Sequence, residues 1–389
     1  AVSYTIVIVV NWALQPVEKA INQSYIDDAK KRLAQMPDMK IIGITGSYGK
    51  TSTKHYLNRI LNEQFNVLMT PGSYNTPMGV VRTVRELMEP YHDIFIVEMG
   101  AKNIGDIKEI CDIVHPEIGI LTSVGAQHLE SFKTIENVQR TKFELIDALP
   151  DNGLAVLNDD FEYVANREVT NVEAIRYAVK AHTNTNYTAT DIKYSTSGTS
   201  FTMVNIQSGT RLEIKTKLLG ESNISNLMAA IIVAKHLGMS DEKIQYAASK
   251  IEQVEHRLSM KHTAGKVTII DDAFNSNPVG SSMALDVLKM MDSGKRIIIT
   301  PGMIELGEKQ VEYNTEFGKK MAASCDVAIV VGEYNREAIV NGFNSGVNEG
   351  NIPELHTVES FAAAQQLLHT MLQPRDIVLY ENDLPDTFK

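Results

Sequence analysis

The sequence predicts an α/β protein made of a central parallel-sheet domain and a smaller, Rossmann-like C-terminal domain. Three observations predict it. Short apolar runs alternate with helix-period stretches from residue 40 onward. One of those runs feeds a glycine-rich turn that opens directly into a helix. The same βα rhythm resumes after a polar, alternating middle section. Continuous apolar strands separated by helices are covered on both faces, as in a parallel, doubly wound sheet. At 389 residues the chain has room for two or three domains with a sizeable core.

Residues 1–14 (AVSYTIVIVVNWAL) are mostly apolar. They fall short of the about 20 residues that span a bilayer and lack the basic start of a signal peptide. Two readings stand side by side: the end of a transmembrane helix with Trp12 at the interface, or a buried strand or helix. The chain begins with Ala1 rather than Met, so a natural continuation upstream is expected. The segment upstream of residue 14 is therefore a candidate for membrane attachment in an otherwise cytoplasmic protein. Residues 18–39 have helical spacing, with Ile21, Tyr25, Ile26, Ala29 and Leu33 on one side, and read as a connector helix.

Ile41–Thr45, Val67–Thr70, Ile94–Met99 and Ile118–Thr122 read as buried strands with helices between them. Residues 154–217 are richer in Thr, Asn and Ser and alternate with period two at 201–206 and 212–217, which predicts mixed or antiparallel strands. Helices follow at about 223–237 and 241–252. The later strands are Val267–Asp271, Arg296–Thr300, Val327–Val331 and Ile377–Tyr380, with helices after Pro278 and at about 308–323. The expected division is 1–39, an apolar segment and connector; 40–257, the central domain; and 258–389, the C-terminal domain.

Hydrophobic residues are 43% and charged residues 22%, as in ordinary globular proteins. A net charge of −11 without a basic block argues against nucleic acid as the partner. Cys111 and Cys325 lie far apart with no CxxC neighbour, so two buried free thiols in a reducing cytoplasm are expected rather than a disulfide or a zinc site.

The strongest chemical signal is Thr45-Gly46-Ser47-Tyr48-Gly49-Lys50-Thr51, between a buried strand and a helix. Glycines let backbone N–H groups approach phosphate, the helix N-terminus adds positive potential, and a lysine neutralises the β/γ oxygens. The longer pattern GxxxxGK[ST] is not met, because Ile44 stands where its first glycine would be; the shorter TGxxGK[ST] is. The central domain therefore reads as a P-loop-type ATPase. Gly46, Ser47, Tyr48, Gly49, Lys50, Thr51 and Ser52 are its candidate ATP contacts, and the Thr51 hydroxyl is a candidate Mg²⁺ ligand. Glu98 closes the strand Ile94–Met99, where a carboxylate points into the ligand crevice of such sheets and suits Mg²⁺. His128 follows the strand Ile118–Thr122 and faces the same crevice. His55, His236 and His369 sit in helical patterns and read as surface groups. Lys142 by itself reads as a solvated charge.

The order of these motifs resembles the Mur ligase family over roughly residues 40–380. The resemblance implies an ATP-dependent ligase that activates a carboxylate as an acyl phosphate and couples it to an amine, in peptidoglycan precursor or related cell-wall peptide synthesis. It implies Lys50 on the phosphates, Thr51 and Glu98 on one Mg²⁺, and His128 with a carbamylated Lys142 on a second. Thr70–Gly79 resembles the family's substrate segment, with Asn75 and Thr76 lining the carboxylate's site. Asn223 and Asn226 would flank the adenine, Arg257 would reach the phosphates, and Asp272, with Asn275 nearby, would meet the ribose. Ser222 stands where the family has His.

Within the family the chain is most similar to the dipeptide-adding branch. That branch carries a UDP-binding domain ahead of the phosphate loop, whereas only about 40 residues precede the loop here. The basic turn expected after Ile377–Tyr380 is replaced by acidic residues, which should repel an anion and attract an amine. Another family activity (folylpolyglutamate or cyanophycin-like), a nucleotide-binding regulatory pseudo-ligase and a membrane-attached scaffold are the alternatives.

Overall fold

The computed structural model describes residues 2–126, 129–195, 198–252, 258–273, 277–291, 294–347 and 352–382. The chain starts with one helix of 33 residues, α1 (Val2–Ala34), with Pro16 inside it. The strand reading of residues 1–14 is thereby replaced. Among the described residues no helix is long and apolar enough to cross a membrane.

Nine strands form the first sheet: β1 (Lys40–Thr45), β2 (Val67–Met69), β3 (Ile94–Glu98), β4 (Ile118–Leu121), β5 (Leu154–Asn158), β6 (Glu173–Ala178), β7 (Tyr187–Ser195), β8 (Gly198–Asn205) and β9 (Arg211–Thr216). Their spatial order is β2-β3-β1-β4-β5-β6-β7-β8-β9. Pairing is parallel from β2 through β7 and antiparallel from β7 to β9. This is the mixed pairing expected of the polar middle section. The alternation Leu212, Ile214, Thr216 inward and Arg211, Glu213, Lys215 outward is visible in the burial of β9.

Helices cover both faces of this sheet. They are α2 (Lys50–Leu61), α3 (Pro77–Leu87), α4 (Asp106–Val114), α5 (Leu129–Phe132), α6 (Ile135–Asp147), α7 (Glu162–Ala165), α8 (Glu221–His236) and α9 (Asp241–Ser249). Ile42, Ile44, Ile96 and Ile120 pack with Leu57 and Ile60 of α2 and with Leu227 and Ile231 of α8. Ile41, Phe95, Val97 and Leu121 face the other way, onto Val84, Ile110 and Leu145. Each such buried side chain contributes about 1.5–3 kcal/mol of hydrophobic stabilisation. Strands β2 and β3 lie on one side of β1, and the chain then crosses to β4 on the other, so the C-terminal end of β1 is a topological switch point, where ligands bind in open α/β sheets.

Ile26, Ala29 and Leu33 of α1 join the second of these cores, as expected. Ile21 and Tyr25 do not: they are 47% and 38% exposed. The helix leaves the body before reaching them, and Arg85 of α3 holds its departure point. Arg85 Nε pairs with Asp28 at 2.8 Å, and its guanidinium lies 4.1 Å from the Tyr25 ring centre.

The second sheet has six strands: β10 (Ser259–His262), β11 (Thr268–Asp272), β12 (Arg296–Thr300), β13 (Val327–Val331), β14 (Glu354–Val358) and β15 (Ile377–Glu381), in the order β10-β11-β15-β12-β13-β14. Only β10 runs antiparallel to its neighbour. The two edge strands, β10 and β14, escape the sequence reading because edges carry polar residues: Ser-Met-Lys-His in one and Glu-Leu-His-Thr-Val in the other. Helices α10 (Pro278–Met290), α11 (Gln310–Ala322), α12 (Arg336–Gly346) and α13 (Phe361–Met371) flank this sheet. Cys111 and Cys325 are buried free thiols, as predicted.

Candidate functional site

The turn between β1 and α2 is held by the end of β4. Ser47 N donates to the Ser123 carbonyl at 3.0 Å and Tyr48 N to Ser123 Oγ at 2.6 Å. Thr122 Oγ1 donates to the Tyr48 carbonyl at 2.5 Å, and Ser47 Oγ donates to the Gly125 carbonyl at 3.1 Å. Gly49 has φ +81°, the left-handed conformation that glycine adopts without strain. The backbone N–H groups at the start of α2 are thereby set in a rigid cradle. Lys50 folds back over it, its Nζ donating to the carbonyls of Gly46 at 2.5 Å and Ser47 at 3.3 Å.

Glu98 sits at the centre of what lies next to this loop. Its side chain is 2% exposed. Oε1 accepts from Thr51 Oγ1 at 3.1 Å and from Asn75 Nδ2 at 3.3 Å, and Oε2 lies 2.9 Å from Lys54 Nζ. Burial alone would raise the carboxyl, but the charges of Lys54 and Lys50 and hydrogen bonds from Lys54 and Asn75 outweigh it and hold the group below the usual carboxylate range. Thr51 and Glu98 are thus brought together, as the sequence predicts, and Asn75 joins them through Glu98. Thr76 lies one residue on, with its hydroxyl accepting from Gly79 N at 3.3 Å as the cap of α3.

Lys142, on α6, is 2% exposed and not the solvated charge its position in the sequence suggests. Burial pushes its ammonium well below the usual lysine range. The Lys50 charge acts in the same direction, and Glu144 and Asp106 oppose without reversing it. Its Nζ lies 5.9 Å from the Phe132 ring centre. His55 is half-buried rather than a surface group: α2 turns it toward the body, and burial, then the Lys54 charge, lower its pKa against the pull of Glu98. His128, Arg257 and Asn275 lie outside the described residues.

A cavity of about 550 Å³ runs from the loop to the second sheet, a volume suited to a small-molecule ligand. Tyr48, Gly49 and Ser52 line one end and Asp272, Asn277 and Gly280 the other. Asn223 and Asn226 of α8 lie between them. Asn223 is already engaged: its Oδ1 accepts from Tyr56 at 2.6 Å and its Nδ2 donates to the Leu219 carbonyl at 2.8 Å. Asp272 Oδ1 accepts from Leu258 N at 2.9 Å, which ties the start of the second unit to the same place.

Several residues of this region escape the sequence reading. Lys54 had one usable signal, its position four residues after Lys50 on the same helix face. Thr122 and Ser123 had another, their place at the C-terminal end of a parallel strand. Asp160, beyond the end of β5, also lines the cavity and accepts from Val179 N at 3.0 Å. Among the described residues no group of three or more His, Cys, Asp or Glu side chains could hold a metal unaided. The oxygens of Thr51 and Glu98, 3.1 Å apart, nevertheless fit one hard cation that also takes ligand phosphate oxygens.

Residues 44–234 match the family profile of the Mur ligase middle domain, and residues 256–380 that of the Mur ligase glutamate ligase domain. The UDP-N-acetylmuramoyl-tripeptide--D-alanyl-D-alanine ligase of Escherichia coli is 29% identical over 342 residues, 87% of this chain and 74% of that protein. The protein of the same name from Mycobacterium bovis is 30% identical over 364 residues, 88% of this chain and 70% of its own length. The structure of MurF ligase from Thermotoga maritima in complex with ADP superposes with a TM-score of 0.81 at 24% identity, covering 93% of this chain and 80% of that one, and so has the same fold. Two profiles matched in sequence order, each falling on one of the two sheets that border the cavity, show that the chain belongs to the Mur ligase family.

Proposed function

We propose that this chain is an ATP-dependent, ADP-forming ligase that joins a carboxylate to an amine, and that the pair is a UDP-linked muramoyl tripeptide and D-alanyl-D-alanine, the substrates in the names of its relatives. The observation that carries the reading is the meeting of Thr51, Glu98 and Asn75 beside the loop whose Tyr48 and Gly49, with Ser52, line one end of a cavity that reaches both sheets. Residues 40–257 would be the ATP-binding domain, 258–389 the domain that closes on the nucleotide, and 1–39 the connector. A cytoplasmic location goes with substrates of this kind.

The N–H groups of the loop and the start of α2 receive the phosphates, and Lys50 moves from the Gly46 carbonyl to the β/γ oxygens. Asn75 and Thr76 orient the carboxylate, whose oxygen attacks the γ-phosphorus as the bond to ADP breaks. The amine nitrogen then attacks the acyl carbon, the acyl–oxygen bond breaks, inorganic phosphate leaves and the amine proton passes to solvent. Catalysis of this kind is mostly positioning and charge neutralisation. Magnesium bound at Thr51 and Glu98 would neutralise phosphate charge. A second ion would need Lys142 as a carbamate, beside His128, because an amine offers no oxygen. The burial that lowers the Lys142 pKa supports that conversion, since the neutral amine is the form that takes up carbon dioxide. Asp272, with Arg257 and Asn275, would complete the site from the second domain and keep water from the acyl phosphate.

The test is phosphate release on a matrix of carboxylates and amines. Turnover that needs the muramoyl tripeptide and the dipeptide together supports the assignment. ATP hydrolysis that no pair stimulates favours the regulatory pseudo-ligase.

A further inference from the structure

Helix α2 carries two lysines one turn apart, and the phosphate loop accounts for only the first. Lys54 lies on the same helix face as Lys50 but is 0% exposed, too deep to reach a nucleotide. A buried ammonium persists only where its charge and its protons are answered. Here they are answered twice: Nζ lies 2.9 Å from Glu98 Oε2 and donates to the Gly72 carbonyl at 2.7 Å. Gly72 belongs to the segment 70–76 that holds Asn75, and this segment meets Glu98 at two further points. Thr70 Oγ1 accepts from Glu98 N at 3.1 Å, and Asn75 Nδ2 donates to Oε1.

We propose that Lys54 is a positioning residue that aims the Glu98 carboxylate at the magnesium site and, through the same ammonium, ties that carboxylate to the substrate segment 70–76. The proposal deepens the ligase reading and rests on it. The geometry divides the labour between the two carboxylate oxygens. With Lys54 on Oε2, Oε1 is left facing Thr51, the side from which a cation shared with Thr51 would bind. Without Lys54 the carboxylate loses its partner on Oε2, and it keeps the pull of Lys50, whose charge already acts on Glu98. Turning toward Lys50 would misalign the metal ligand and hold back the lysine that the phosphates need. The Gly72 carbonyl would lose its donor in the same step, loosening the loop that carries Asn75.

The test uses Lys54→Met, which keeps the length and removes the charge, and Lys54→Gln, which keeps a donor for Gly72. ADP affinity is measured by calorimetry with and without magnesium chloride. Lys54→Met is expected to cut the magnesium-dependent gain in ADP affinity by about tenfold or more, the usual effect of removing a partner of a metal ligand, while the magnesium-free affinity holds. KM for the carboxylate substrate should rise more than kcat falls. Lys54→Gln should restore KM without restoring the magnesium gain. A merely structural lysine would lower the melting temperature and leave the magnesium gain and KM of the folded protein unchanged, which would overturn the assignment. Should Lys54→Met fail to fold, Lys54→Met combined with Glu98→Gln leaves no lone buried charge. Faster amide exchange at residues 70–76 in that double variant than in Glu98→Gln alone supports the tie, and equal exchange refutes it. An unaltered chain with no magnesium gain at all overturns the ligase reading and the Lys54 role together; a full gain in both the unaltered chain and Lys54→Met overturns the Lys54 role alone.

Discussion

Replacing Gly49 by alanine tests the close approach on which the nucleotide cradle is built. Two separable penalties are expected. The backbone sits at φ +81°, where an L residue costs about 1–2 kcal/mol relative to glycine. The new Cβ would also stand 2.4 Å from Asn226 Oδ1 and 3.2 Å from its Cγ. Asn226 is 7% exposed on a helix buried along most of its length, so it has little room to yield, and overpacking of this kind costs about 1–3 kcal/mol. The sum is about 2–5 kcal/mol, readable by urea unfolding of the purified chain. Asn226→Ala removes the obstructing atoms and separates the two penalties. In the double variant the overpacking should vanish and the backbone penalty remain, giving a favourable coupling of about 1–3 kcal/mol in a double-mutant cycle. If the two substitutions add to within about 0.5 kcal/mol, contact between the loop and α8 does not constrain Gly49, and the account of the cradle is wrong.

Lys50→Ala should abolish turnover and leave the melting temperature nearly unchanged, because the half-buried ammonium contacts the carbonyls of its own loop; calorimetric melting alongside phosphate release checks both. Lys142→Ala should lose activity, and short carboxylates added to the assay should restore part of it; full activity without them would remove Lys142 from the site. Glu98 sets the pH response of this region. Its folded-state pKa is lowered, so its contribution to stability is complete above the ordinary carboxylate pKa of about 4.3 and is lost as pH falls through the lowered value. Glu98→Gln should therefore flatten the acid limb of a plot of melting temperature against pH, and an unchanged limb would show that other carboxylates govern it.

The parallel core was legible in the sequence because the sheet is buried on both faces. Runs such as Lys40–Thr45 and Ile94–Glu98 have no polar alternation to confuse them with anything else. The same criterion fails at sheet edges. There, β10 and β14 are polar and short, and nothing in their residues sets them apart from loops. It fails again at α1, where Ile21 and Tyr25 share a helix face with Ile26, Ala29 and Leu33. Periodicity finds that face but cannot say where along it the helix leaves the body.

The site divides along a different line. Residues that act through the chain's direction were legible: a phosphate loop follows a strand and opens a helix, and a carboxylate at the C-terminal end of a parallel strand faces the ligand crevice, so Lys50, Thr51 and Glu98 could be named from position alone. Residues that act through burial were not. Lys54 and Lys142 are both lysines inside amphipathic helices, the commonest setting for a solvated charge. What separates them from other helical lysines is the depth to which α2 and α6 pack against the sheet, 0% and 2% exposed, and that depth is set by contacts far away in sequence. The two then differ in the charges placed around them. Lys54 Nζ lies 2.9 Å from Glu98 Oε2 and donates to the Gly72 carbonyl at 2.7 Å. For Lys142, burial and then the Lys50 charge act against the ammonium, and the opposing pulls of Glu144 and Asp106 do not reverse them. An ion pair with one carboxylate, made by one of these buried lysines, thus gives the same residue type two different surroundings at similar depth.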